Sequence, residues 1–125
     1  MPSNASQTDY IVPLCRESVQ ILHKDPLFLL VNKPSGLLSV PGKHPLNKDC
    51  LITRLQEDYP EARIVHRLDL DTSGIMVIAL SAQSHRNLSK QFENRETYKS
   101  YTAMVFGQVK PVEGSIDLPL ICDWP

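Results

Sequence analysis

The chain has 125 residues, 42% of them apolar, enough for one modest core and therefore for one domain or part of one. A formal net charge of −1 excludes a broadly basic nucleic-acid binder, so any contact with phosphates must be local. No apolar run reaches the roughly 20 residues that cross a bilayer, and Met1 to Tyr10 lacks the basic-then-apolar order of a secretory signal; a cytoplasmic location and no membrane partner are expected.

Residues 1–18 contain Pro2 and Pro13 and few apolar side chains before Ile11, which predicts a flexible lead with little structure of its own. From Val19 the pattern turns apolar. Val19 to His23 and Leu27 to Asn32 are short runs joined by Lys24-Asp25-Pro26, as in a β-hairpin. Lys33-Pro34-Ser35-Gly36 then breaks the strand, because proline lacks an N–H donor and glycine tolerates positive φ. Leu51, Ile52, Leu55 and Tyr59 recur at helical spacing over Asp49 to Tyr59, with Asp49 placed to cap this helix and Pro60 to stop it.

Ile64-Val65 and Ile75 to Leu80 are β-prone runs that present His66 to Gly74 as a loop between strands. Ser81 caps a second helix running to about Arg95, with Ala82, Leu88 and Phe92 on a thin apolar face. Lys99 to Val109 alternates, placing Tyr101, Ala103, Val105 and Gly107 on one side of a half-buried strand. Helices and strands interleave without a strict repeat, which points to an α+β fold. Cys15, Cys50 and Cys122 have neither disulfide-framework nor zinc-ligand spacing and read as free thiols. Arg86, Lys90, Arg95 and Lys99 could supply a local basic patch, or simply a solvated helix face.

The segment His66-Arg67-Leu68-Asp69-Leu70-Asp71-Thr72-Ser73-Gly74 crowds two carboxylates, an arginine and a histidine into one loop. Two chemistries can be weighed from the residues alone. An aspartic protease needs glycine directly after the Asp-Thr pair, where Ser73 stands. A haloacid-dehalogenase-like phosphatase would use Asp69 and Asp71 with Mg²⁺, but His66-Arg67 interrupts the strand that should precede them.

The same loop resembles the catalytic motif of RluA-type pseudouridine synthases, His-Arg-Leu-Asp followed after two residues by Thr/Ser-Ser-Gly. Asn32-Lys33-Pro34-Ser35-Gly36 is similar to that family's first motif, Gln91-Phe92-Glu93 to a helix preceding its Lys-x-Tyr strand, and Lys99-Ser100-Tyr101 to that strand. The ending Asp117 to Pro125 is similar to the branch that acts on both a tRNA anticodon loop and 23S rRNA. The resemblance implies a mixed, mostly antiparallel sheet with flanking helices, residues 19–125 being the N-terminal part of the catalytic domain, incomplete at its C-terminal end.

It also implies an RNA-modifying isomerase with RNA as partner, monomeric at full length. Asp69 would be the essential carboxylate, Arg67 would hold the RNA around an extruded nucleotide, and Tyr101 would lie against the uracil ring. Asp71 falls at a variable position and reads as a turn former; His66, Lys33 and Pro34 read as architecture. Isomerisation consumes no redox equivalents or external energy, so no cofactor and no metal are expected. Nothing after Tyr101 resembles the family's later motif, whose arginine pairs with the catalytic aspartate, so this chain alone is expected to expose apolar strand edges and show little activity. A catalytically dead RNA-binding protein of the same fold is the alternative.

Overall fold

A computed structural model describes residues 10–121. Strands β1 (Gln20–Lys24) and β2 (Phe28–Lys33) form the expected hairpin. Its turn is closed by Asp25, whose Oδ1 accepts the amides of Leu27 at 2.7 Å and Phe28 at 3.0 Å, the local bonding that favours aspartate in turns. Strand β4 (Gly74–Ala79) pairs with β2 from Phe28↔Ala79 to Lys33↔Gly74, and the short β3 (Arg63–Ile64) pairs with the other edge of β4. All pairings are antiparallel, in the order β1-β2-β4-β3.

Side chains alternate across this sheet. Leu29, Val31, Met76 and Ile78 are buried on one face, against helix α1 (Leu51–Asp58) through Leu51, Ile52 and Leu55. Burial of such aliphatic side chains is worth about 1.5–3 kcal/mol each, which makes this face the core. The other face carries Leu30, Ile75 and Val77, only partly covered by Leu88 and Phe92 of helix α2 (Ala82–Glu93); Ile75 stays exposed.

Asp49 does not cap α1. Cys50 takes that place, its amide donating to Thr53 Oγ1 at 3.2 Å, while the Asp49 carboxylate pairs with Arg54 at 2.7 and 2.8 Å. A bidentate guanidinium is a stronger partner than a backbone amide, and its hydrogen bonds hold the Asp49 carboxyl below the ordinary carboxylate range. At α2 the expected cap holds: Ser81 and Ser84 exchange backbone-to-hydroxyl bonds at 3.0 and 3.1 Å. The helix stops at Glu93, short of Arg95, because Arg95 adopts a φ of 55° and cannot continue it.

Within the described part of the lead, 10–18 form no helix or strand, yet they are tied to the body. Asn47 bonds the backbone of both Val12 and Tyr10, and the Arg54 guanidinium donates to the carbonyls of Cys15 and Glu17. The strand expected over Lys99 to Val109 is not formed. Alternation alone cannot hold a strand without a neighbour to take its backbone hydrogen bonds, and 99–109 pairs with neither β1 nor β3, the sheet's two edges. Met104, Phe106, Val112 and Leu120 are consequently almost wholly exposed. Cys15 and Cys50 are free thiols; Cys122, with the last residues of the Asp117–Pro125 resemblance, lies outside the described residues.

Candidate active site

Between β3 and β4 the chain leaves the sheet over 65–73 and returns at Gly74, whose φ of 140° suits glycine. His66 marks the departure. Its Nε2 accepts the Val77 amide at 3.0 Å, so the imidazole takes over an N–H of β4 where β3 peels away. The ring is neutral on this nitrogen and stacks on Phe92 of α2 with centroids 4.5 Å apart. Burial, and then the positive charge of Lys99, pull its pKa below the ordinary histidine value.

The loop is held from below by residues of the first resemblance and the segment after it. Leu68 is buried, and the Ser39 hydroxyl both accepts its amide at 3.1 Å and donates to its carbonyl at 2.6 Å. The Leu70 carbonyl accepts from Gly36 N at 2.8 Å and from Lys33 Nζ at 3.2 Å, while Ser35 Oγ donates to the Asp71 carbonyl at 2.8 Å. Gly36 is at φ 86°, the left-handed turn conformation that brings its amide to the loop. The Asp69 carbonyl closes a turn on the Thr72 amide at 3.1 Å. With Leu68 turned inward, Arg67, Asp69 and Asp71 all reach solvent.

Lys33 is fully buried, and its ammonium also donates to the carbonyls of Pro34 at 2.9 Å and Leu37 at 2.6 Å. Burial draws its pKa down; Cys15, Asp71 and Asp69 act in the opposite direction. Its amine is satisfied by backbone, the architectural role the sequence suggests.

Arg67 and Asp69 thus share one exposed loop, and among the described residues Arg67 forms no ion pair with Asp69 or Asp71. Tyr101 faces other residues of the same loop, His66, Leu68 and Asp71 to Gly74, across one cleft. It lines this cleft, of about 840 Å³, with His66, Asp71, Ser73, Phe92 and Lys99, and neither Arg67 nor Asp69 is among the residues of that wall. Three of the resembling motifs nevertheless meet at Phe92, which carries His66 on its ring and Lys99 Nζ 5.6 Å from its centroid. Arg86, Lys90, Arg95 and Lys99 are all exposed. Ser39 had no signal in the sequence, since its role depends on a contact 29 residues away.

Residues 27–121 match the family model described as RNA pseudouridylate synthase. The chain is 55% identical over 105 residues to the dual-specificity RNA pseudouridine synthase RluA of Salmonella typhi and, equally, to that of Escherichia coli K12, covering 84% of this chain and 48% of either relative. It therefore spans about half the length of these curated relatives. Among solved structures, human RNA Pseudouridylate Synthase Domain Containing 1 is similar with a TM-score of 0.50 and 29% identity, over 66% of this chain and 31% of that one. With most of its length matched by the family model, and its own Asp-bearing loop seated on the segment of the first motif, the chain belongs to the RNA pseudouridylate synthase family.

Proposed function

We propose that the protein isomerises uridine to pseudouridine in RNA, with Asp69 as its essential carboxylate. The observation that carries this reading is the loop itself: buried Leu68, Ser39 and Lys33 fix its backbone while Arg67 and Asp69 project into solvent, where a macromolecular substrate can meet them. The reaction breaks the bond between ribose C1′ and uracil N1, turns the base and rejoins it through C5, from which a proton is lost to solvent while N1 takes one up. An ionised carboxylate can act on C1′ by attack or by taking a neighbouring proton, or can add to C6 of the base, and each needs it held beside the target nucleoside.

A uridine must leave its stack before the glycosidic bond is accessible, at a cost of a few kcal/mol that protein contacts offset. Arg67 is suited to hold the displaced backbone, since a guanidinium forks onto phosphate oxygens and here has no carboxylate partner among the described residues. Tyr101 offers an aromatic face and a phenol to the base. It lies in a segment without strand pairing, in the same cleft as loop residues His66, Leu68 and Asp71. We assign a tRNA anticodon loop and 23S rRNA as targets, in keeping with the dual specificity named for relatives 55% identical to this chain, and the cytoplasm as the site of action.

The test is tritium release from C5-labelled uridine in an anticodon stem-loop and in 23S rRNA, by the chain alone and by the chain joined to the C-terminal half of the Escherichia coli relative. Release by the joined form, abolished by Asp69→Asn with RNA affinity retained, is the expected result. Release that survives Asp69→Asn removes Asp69 from the chemistry. RNA binding by the joined form without any release from either substrate would make the protein a binder of the same fold.

A further inference from the structure

Ser39 is 4% exposed and lies on no helix or strand. A buried hydroxyl is unfavourable unless it is hydrogen-bonded, and this one finds its partners in the loop: Leu68 N at 3.1 Å and Leu68 O at 2.6 Å, with Met76 Sδ at 3.6 Å behind it. A hydroxyl has one hydrogen to give. That hydrogen goes to the Leu68 carbonyl, and an oxygen lone pair receives the Leu68 amide. The amide belongs to the peptide joining Arg67 to Leu68, and the carbonyl to the peptide joining Leu68 to Asp69. A single side chain thus fixes both peptide planes around Leu68, and with them the directions in which Arg67 and Asp69 leave the backbone.

We propose that Ser39 is a positioning residue for Asp69, aiming the carboxylate through the two Leu68 bonds. This role rests on the pseudouridine synthase reading. It differs from that of Lys33 and Gly36, which hold the loop at Leu70 on the far side of Asp69. Pure packing would be served as well by alanine. Aim would not, because without the hydroxyl both Leu68 groups lose their shared partner and the peptide planes on the approach to Asp69 are held only by the packing of Leu68 and the bonds at Leu70.

The experiment compares Ser39→Ala and Ser39→Thr with the unsubstituted protein, in whichever form, chain alone or joined, releases tritium. Single-turnover rate, RNA affinity, melting temperature and hydrogen exchange at the Leu68 amide are read together. Ser39→Ala is expected to slow the single turnover by about 10- to 100-fold, the scale of a small misplacement of a reacting group, with RNA affinity within about threefold and faster exchange at Leu68. Ser39→Thr keeps the hydroxyl and is expected to recover most of the rate, even though its added methyl lowers the melting temperature. An unchanged rate in Ser39→Ala, or rates of both variants that simply follow their melting temperatures, overturns the proposal while leaving the activity intact. No release by the unsubstituted protein in either form overturns the activity reading itself and this role with it.

Discussion

The Nε2 atom of His66 accepts the amide hydrogen of Val77 at 3.0 Å, a bond between the first residue of the Asp69-bearing motif and the middle of β4. A protonated imidazole has no lone pair on Nε2 to offer, so this bond exists only with the neutral ring.

That dependence sets a pH response. The folded-state pKa of His66 lies below the ordinary value of 6.5, so the unfolded chain binds this proton first. The stabilisation is fully present above about pH 6.5 and is lost as pH falls from there through the lower folded value. Urea unfolding at pH 7.5 and 5.5 should show lower stability at the acidic end, and His66→Gln should flatten the difference. An equal slope in the variant would assign the effect to another group. Asp25, whose carboxyl is lowered chiefly by the Leu27 amide, contributes above the ordinary carboxylate value of 3.8 and loses that contribution only as pH falls through its depressed value, in a separate window.

Arg67 is exposed and, among the described residues, has no ionic partner. Arg67→Ala should therefore alter stability by less than about 0.5 kcal/mol, as for surface positions generally. The same change should weaken RNA binding and lower the slope of its salt dependence by about one unit, the mark of one lost phosphate contact. Calorimetry and a salt titration of binding check the two halves. A large loss of stability would place Arg67 in the architecture instead.

Lys33→Met removes an ammonium from a buried site and leaves the Pro34 and Leu37 carbonyls without this donor. A buried polar group left unsatisfied costs about 1–3 kcal/mol, so a loss of about 2–4 kcal/mol is expected in urea denaturation. A neutral outcome would show that methionine packing compensates for the carbonyls.

Residues 103–121 carry many exposed apolar side chains and no regular structure. Their amides should exchange at close to unfolded-chain rates in the isolated chain, whereas those of β2 and β4 should be protected. Removing 103–121 should reduce binding of an apolar dye with less than about 1 kcal/mol change in stability. Strong protection over this segment would mean that it folds against the body or against another copy.

The hairpin, both helices and the loop between Ile64 and Ile75 were legible because their signals are local: a turn aspartate at Asp25, a capping serine at Ser81, apolar residues at helical spacing from Leu51 to Leu55. Asp49 misled for an equally physical reason, since an acidic residue before a helix fits a cap as well as an ion pair, and only the position of Arg54 chose between them. The alternation over Lys99 to Val109 describes a strand that would need a neighbour, and alternation carries no information about whether one is present.

By itself the sequence determined the family motif, the order of the elements from β1 to α2 and the residue types available for chemistry, since each resides in a few consecutive side chains. What tertiary structure decided is which of them act together. Lys33, Ser35 and Ser39 converge beneath Leu68, Leu70 and Asp71 across 29 to 37 residues of chain, leaving Arg67 and Asp69 outside. The reason is that buried backbone groups of the loop must find hydrogen-bond partners, and only pairing β2 with β4 brings those partners within reach.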